Sequence, residues 1–157
     1  MNMMDMLKSE YIICNLKSKN KEEVLTELSN VFHFEGEQIH SEDILRALVA
    51  RENLGSTGIG EGIAIPHAKI HGLKNPMISF GRSISGIPFD SLDGKPAQLF
   101  FAILVPDHST GLHLKLLASL SRMMKDTEFR TQLLKARSAE EIWGEIDHKN
   151  RNLNSQI

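Results

Sequence analysis

Hydrophobic positions along the chain follow two patterns. From Asn20 onward, Val24, Leu25, Leu28, Val31 and Phe32 recur at intervals of three and four, which predicts a helix. Ile44, Leu45, Leu48 and Val49 repeat that spacing, with Ser41 as the expected N-cap and an end near Arg51-Glu52-Asn53. A third helix is expected from about Thr110, with Leu112, Leu116, Leu117, Leu120, Met123 and Met124 on its inner face. Two short helices follow over 127–135 and 139–147. The second pattern is the unbroken apolar run. Residues 11–15, 63–65 and 77–85 read as strands, and 97–105 is so continuously apolar that it fits a central strand covered on both faces. Gly86-Ile87-Pro88 and Asp93-Gly94 are turn signals. Strands interleaved with amphipathic helices predict a single α/β domain, one central sheet with helices on both faces. No repeat or low-complexity segment interrupts it, and residues from Asn150 onward read as a polar tail.

The segment 51–69 fits neither pattern. Glycines stand at 55, 58, 60 and 62, where they offer nothing to a core and cost backbone entropy. A loop of converging N–H groups can hold an anion, and Ser56 and Thr57 add hydroxyls. The loop lacks the Lys-Ser/Thr of a P-loop, and Gly58-x-Gly60-x-Gly62 lacks the final gap of the dinucleotide fingerprint. By itself it fits a permissive surface turn as well.

His67 follows the run Ile63-Ala64-Ile65-Pro66. Proline fixes φ and brings no backbone donor, so His67 should be held at a strand end, where α/β proteins place their sites. A neutral imidazole is a competent nucleophile near neutral pH and a good leaving group from a phosphoramidate. His113 lies on the same helical face as Leu116, Leu117 and Leu120. If the strands ending near Pro66 and Pro106 share a sheet edge, His67 and His113 meet across a cleft. Each histidine alone also fits a structural role. Arg51, at a helix end just before the glycines, could offer a guanidinium fork to an anion or simply face solvent. Lys69 is a weaker candidate of the same kind.

His67, His71 and His113 raise the alternative of a zinc site. Four-apart histidines share a metal on a helix, and Pro66 and Gly72 argue against one here. With one cysteine and no acidic ligand pattern, neither a metal nor another cofactor is expected. His33, His40, His71, His108 and His148 read as surface or loop residues.

Composition narrows the partners. A net charge of −2 with no basic block does not suggest nucleic acid. The Met-rich start is broken by Asp5 and lacks the basic-then-apolar order of a signal peptide. No apolar run nears the ~20 residues that span a bilayer, so a cytoplasmic protein outside the membrane is expected. Cys14 cannot form an intrachain disulfide and, within Tyr11-Ile12-Ile13-Cys14, reads as a buried strand thiol.

Taken together, residues 51–69, Arg51-Glu52-Asn53-Leu54-Gly55-Ser56-Thr57-Gly58-Ile59-Gly60-Glu61-Gly62-Ile63-Ala64-Ile65-Pro66-His67-Ala68-Lys69, resemble the active-site signature of the fructose/mannitol-type IIA domains of the bacterial phosphotransferase system. The likeness continues through 89–96, Leu104-Val105-Pro106 and 112–118, and covers about 5–147, leaving 148–157 as the tail. It implies a mixed sheet of about five strands. It also implies a cytoplasmic phosphocarrier: the protein HPr would donate a phosphoryl group to His67, and a IIB protein or domain would accept it on a cysteine. His113 would orient the ring or bond the phosphate, Arg51 would stabilise phosphoryl charge, and Ser56, Thr57 and Gly58 would form a phosphate-binding loop. The nitrogen-related IIA proteins imply an alternative, in which regulatory partners read the phosphorylation state. A histidine-ligated metal hydrolase is the third reading.

Overall fold

The longest apolar run becomes the middle of the sheet. In the computed structural model, which describes residues 2–154 apart from Glu35, Glu37 and Thr110, strand β6 spans Ala97–Pro106. All its residues but Gln98 are buried, so both faces are covered. On one side β5 (Met77–Ile87) pairs antiparallel with β6, and β1 (Ile12–Ile13) pairs parallel with β5. On the other side β3 (Ile63–Ala64) and β4 (His67–Ile70) run in line along β6, both parallel to it. Strand β2 (Gly58–Gly60) closes that edge antiparallel to β3. The sheet is therefore mixed, and five strands wide if β3 and β4 are taken as one interrupted strand.

The interruption falls at Ile65-Pro66. Proline cannot donate to a ladder, but its carbonyl still accepts from Ile103 N–H at 2.9 Å. The chain thus stays on β6 while His67 opens a new strand.

Helices form two groups. Helix α2 (Lys21–Asn30) and α3 (Ser41–Glu52) pack on each other, α2 against β5 and α3 against β4. Helix α4 (Leu112–Met124) packs on β6, α6 (Ala139–Asn154) packs on β1, and α5 (Thr127–Lys135) sits between them. Caps explain the starts: Asn20 Oδ1 accepts from Glu23 N–H at 2.9 Å, and Asp126 Oδ1 from Glu128 N–H at 3.0 Å. The start of α3 is one residue earlier than Ser41 suggested. His40 holds the extended cap conformation, and its N–H donates to Asp43 Oδ2 at 3.0 Å. The start expected at Thr110 lies outside the described residues.

The tail is shorter than its polarity implied. Helix α6 continues to Asn154 because Asn150 is buried and donates to Asn2 Oδ1 at 3.1 Å, and Leu153 packs on the core. A short helix the hydrophobic pattern did not show, α1 (Met3–Met6), buries three methionines beside it. The core follows β6: Phe101 packs edge-on to Phe80, and Phe100 to Phe89. Truncating one such buried ring costs about 3–5 kcal/mol.

Candidate phosphoryl-transfer site

The glycines of the 51–69 segment build a hairpin. Gly60, Glu61 and Gly62 have φ of 93°, 56° and 80°, and the turn between β2 and β3 needs that left-handed run. Glu61 is held there by its N–H on Asp93 Oδ2 at 2.9 Å and its carboxylate 3.4 Å from Arg130. Gly58 serves close packing: a Cβ there would lie 2.6 Å from Ser91 Oγ. Its carbonyl accepts from Leu92 N–H at 3.1 Å, so the loop 88–96 is fixed to the hairpin.

The donors expected to cradle phosphate point elsewhere. Thr57 N–H and Oγ1–H both go to the Glu52 carboxylate. Gly58 N–H donates to Ser56 Oγ at 3.0 Å, and Ser56 O–H to the Phe89 carbonyl at 2.7 Å. These three residues hold the loop in shape.

His67 is half-buried as the first residue of β4. Its Nδ1 lies 3.0 Å from the Ile65 carbonyl oxygen. A carbonyl only accepts, so Nδ1 carries the proton and Nε2 keeps its lone pair. Burial lowers the pKa below the ordinary 6.5; the bond to Ile65 opposes this, Arg51 and His113 lower it further, and Glu52 raises it. The ring is thus neutral at physiological pH, with one nitrogen ready to act as a nucleophile.

His113 does meet His67, but not by matched strand ends. Pro106 pairs with Ile70, while His67 pairs with Ile103. The chain reverses after β6, and α4 brings His113 back. The two rings are nearly parallel, 18° apart in plane, with centroids 6.2 Å apart. The Nδ1 of His113 is buried, with no hydrogen-bond partner among the described residues. Arg51, in the last turn of α3, donates from Nη1 to Gly55 O at 2.9 Å and is close enough for its charge to act on His67. Lys69 is exposed on β4.

Sequence reasoning missed Glu52 and Lys21. The Glu52 carboxylate is only 3% exposed, and Lys21 Nζ lies 3.4 Å from it. Lys21 also lies 3.2 Å from Asp90 and 4.6 Å above the Phe89 ring, so it ties α2 to α3 and to the loop 88–96. A signal was present: an acidic residue ending a helix opposes the helix dipole, so it needs another partner.

The three histidines of the zinc alternative are not gathered at one point. His67 and His71 are separated by an extended stretch of roughly 13 Å, too far to share an ion. His71 is 96% exposed, with Nδ1 2.8 Å from Asp107 Oδ2. Among the described residues no group of three or more His, Cys, Asp or Glu side chains could hold a metal ion. His33, His40, His108 and His148 are exposed. Cys14 is half-buried just past β1, where its Sγ accepts from Arg82 Nη2 at 3.2 Å. No helix among the described residues is long and apolar enough to cross a membrane.

Comparison with known proteins identifies the family and the fold. The fructose-specific EIIABC component of Bacillus subtilis is 42% identical over 90% of this chain, which spans only 22% of that protein's length. The structure of nitrogen regulatory protein IIA-Ntr from Neisseria meningitidis superposes with a TM-score of 0.85 at 33% identity, covering 91% of this chain and 97% of that one. Enzyme IIA for mannitol from Escherichia coli, solved in complex with phosphorylated IIB, shares the fold at a TM-score of 0.75 and 22% identity, covering 90% of this chain and 99% of that one. Residues 5–149 match the family described as phosphoenolpyruvate-dependent sugar phosphotransferase system, EIIA 2, and the chain belongs to that family.

Proposed function

We propose that this chain is a cytoplasmic phosphocarrier that accepts a phosphoryl group from phospho-HPr on His67 Nε2 and passes it to a IIB cysteine for sugar uptake. The observation that carries this reading is the bond from His67 Nδ1–H to the Ile65 carbonyl, because it leaves Nε2 as the free lone pair. In the transfer, that lone pair forms the new N–P bond as the donor's N–P bond breaks. The bonding electrons return to the donor imidazole. Positive charge develops on the His67 ring, and the Ile65 carbonyl stabilises it at Nδ1–H. Arg51 stabilises the phosphoryl oxygens, and His113, whose Nδ1 is enclosed, offers its other nitrogen to them. Ser56, Thr57 and Gly58 act by holding the loop that borders the phosphoryl group. Onward transfer reverses the chemistry, with a neutral imidazole leaving.

The test is incubation with phosphoenolpyruvate, enzyme I and HPr, followed by intact mass. One acid-labile phosphate should be gained, and His67→Ala should gain none. Labelling of that variant would overturn the assignment.

The likeness to IIA-Ntr over nearly its whole length favours a second reading, in which partners sense the phosphorylation state. Capture of a IIB protein by the phosphorylated form supports transport. Capture of a kinase, potassium transporter or transcription factor supports regulation.

A further inference from the structure

We propose that Glu52 is the positioning residue for His67, fixing through Thr57 and Ile65 the carbonyl that keeps the imidazole in its Nδ1–H form. This deepens the phosphocarrier reading and rests on it.

The chain of contacts is short and continuous. The Glu52 carboxylate accepts from Thr57 N–H, at 2.8 Å to Oε1 and 3.2 Å to Oε2, and from Thr57 Oγ1–H. The Thr57 carbonyl accepts from Ile65 N–H at 3.0 Å. The Ile65 carbonyl accepts from His67 Nδ1–H at 3.0 Å. Among the described residues no side chain other than Glu52 bonds the Thr57 amide, so this carboxylate sets where the Thr57 peptide sits. Thr57 in turn sets Ile65, which is buried and has the proline behind it.

The placement of Glu52 is costly without such a role. It is 7% exposed, and a buried carboxylate must be compensated by hydrogen bonds and a counter-charge. It also ends α3, where the helix dipole disfavours negative charge. A neutral residue would avoid both costs. Lys21 supplies the counter-charge, its Nζ 3.4 Å from Glu52 Oε2, so the carboxylate does not repel an incoming phosphoryl group at full strength.

The tautomer decides the chemistry. With Nδ1 protonated, Nε2 attacks. If the Ile65 carbonyl drifts, the two neutral forms equilibrate and the share with a free Nε2 falls. The negative charge of Glu52 also opposes Arg51 and His113, holding the ring basic enough to bond phosphorus.

The test uses the unphosphorylated full chain and needs no partner. Imidazole ¹⁵N spectra above the His67 titration should show one tautomer in the wild type, protonated at Nδ1. Glu52→Ala should show mixed tautomers, and its rate of phosphorylation by phospho-HPr should fall roughly tenfold, the worth of one net hydrogen bond on the barrier. In Glu52→Gln the amide oxygen still accepts from Thr57 N–H, so the tautomer should be largely rescued. The His67 titration midpoint should nevertheless fall, because a negative charge has gone. An unchanged tautomer in folded Glu52→Ala overturns the proposal. If Glu52→Ala does not fold, Glu52→Asp, whose shorter side chain draws the carboxylate back from Thr57 N–H, takes its place, and an unchanged tautomer there overturns the proposal. Failure of the wild type to be phosphorylated at His67 would sink the phosphocarrier reading instead, which the tautomer measurement does not touch.

Discussion

A histidine proposed as a nucleophile has to be neutral, and at His67 burial is the main cause of that. Partial burial lowers the His67 pKa, and the Arg51 and His113 charges add to it. The sign for stability follows from linkage. Between the lowered folded pKa and the unfolded value of about 6.5, the unfolded chain binds more protons. Stability from this residue is therefore complete above about 6.5 and declines as pH falls through that window. Urea unfolding at two pH values bracketing the window should show a smaller stability difference for His67→Asn than for the wild type. An unchanged difference would mean that His67 does not titrate as its surroundings dictate. Arg51→Met should move the His67 midpoint upward, since it removes a nearby cation, and NMR titration reads that directly. The residues at this scale were only partly legible. His67, His113 and Arg51 stand out by type and position, whereas the Ile65 carbonyl and Glu52 act through backbone bonds that no spacing rule encodes.

Elements with one strong pattern were readable, and those defined by tertiary contact were not. Strand β6 shows itself because burial on both faces demands an unbroken apolar run. Helix α5 shows itself at both ends because Asp126 caps it and apolar spacing continues to Lys135. By contrast, α6 outran its apolar stripe, since Asn150 finds a polar partner in Asn2. Strand β2, and with it the hairpin to β3, lies hidden inside what reads as a loop, because its glycines answer to φ and to Ser91. That contact gives a prediction at the element scale. Gly58→Ala forces a Cβ against Ser91 Oγ and should cost about 1–3 kcal/mol by overpacking. Ser91→Ala alone should be near neutral, because its buried hydroxyl has no partner among the described residues. Combined, Ser91→Ala should return part of the Gly58→Ala loss in urea melts. Strict additivity would show that the two do not meet.

On the scale of the whole molecule, the exposed apolar residues are not scattered at random. Among the described residues the three most exposed large hydrophobics are Leu54 at 84%, Leu92 at 82% and Leu114 at 62%. Leu54 lies between Arg51 and Gly55, Leu92 is bonded to Gly58, and Leu114 follows His113. Two adjoin site residues along the chain, the third is held to the hairpin, and the fold buries none of them. Single exposed leucines are ordinary, but three on the segments that carry or hold the proposed site fit a surface wetted and covered in turn. A carrier between two proteins needs contacts that are small and release quickly. A few apolar anchors do this without the geometric demands of ion pairs. Replacing Leu92 and Leu114 together by Asp and Glu should leave thermal stability nearly unchanged, because neither side chain is packed. It should raise the KM for phospho-HPr by about tenfold, as expected for truncating contact anchors of roughly 1 kcal/mol or more. The kcat should hold within about a factor of two, since no group in contact with the phosphoryl oxygens has changed. A fall in kcat at constant KM would place these leucines in the chemistry instead of the encounter, and would remove the case for an apolar docking rim.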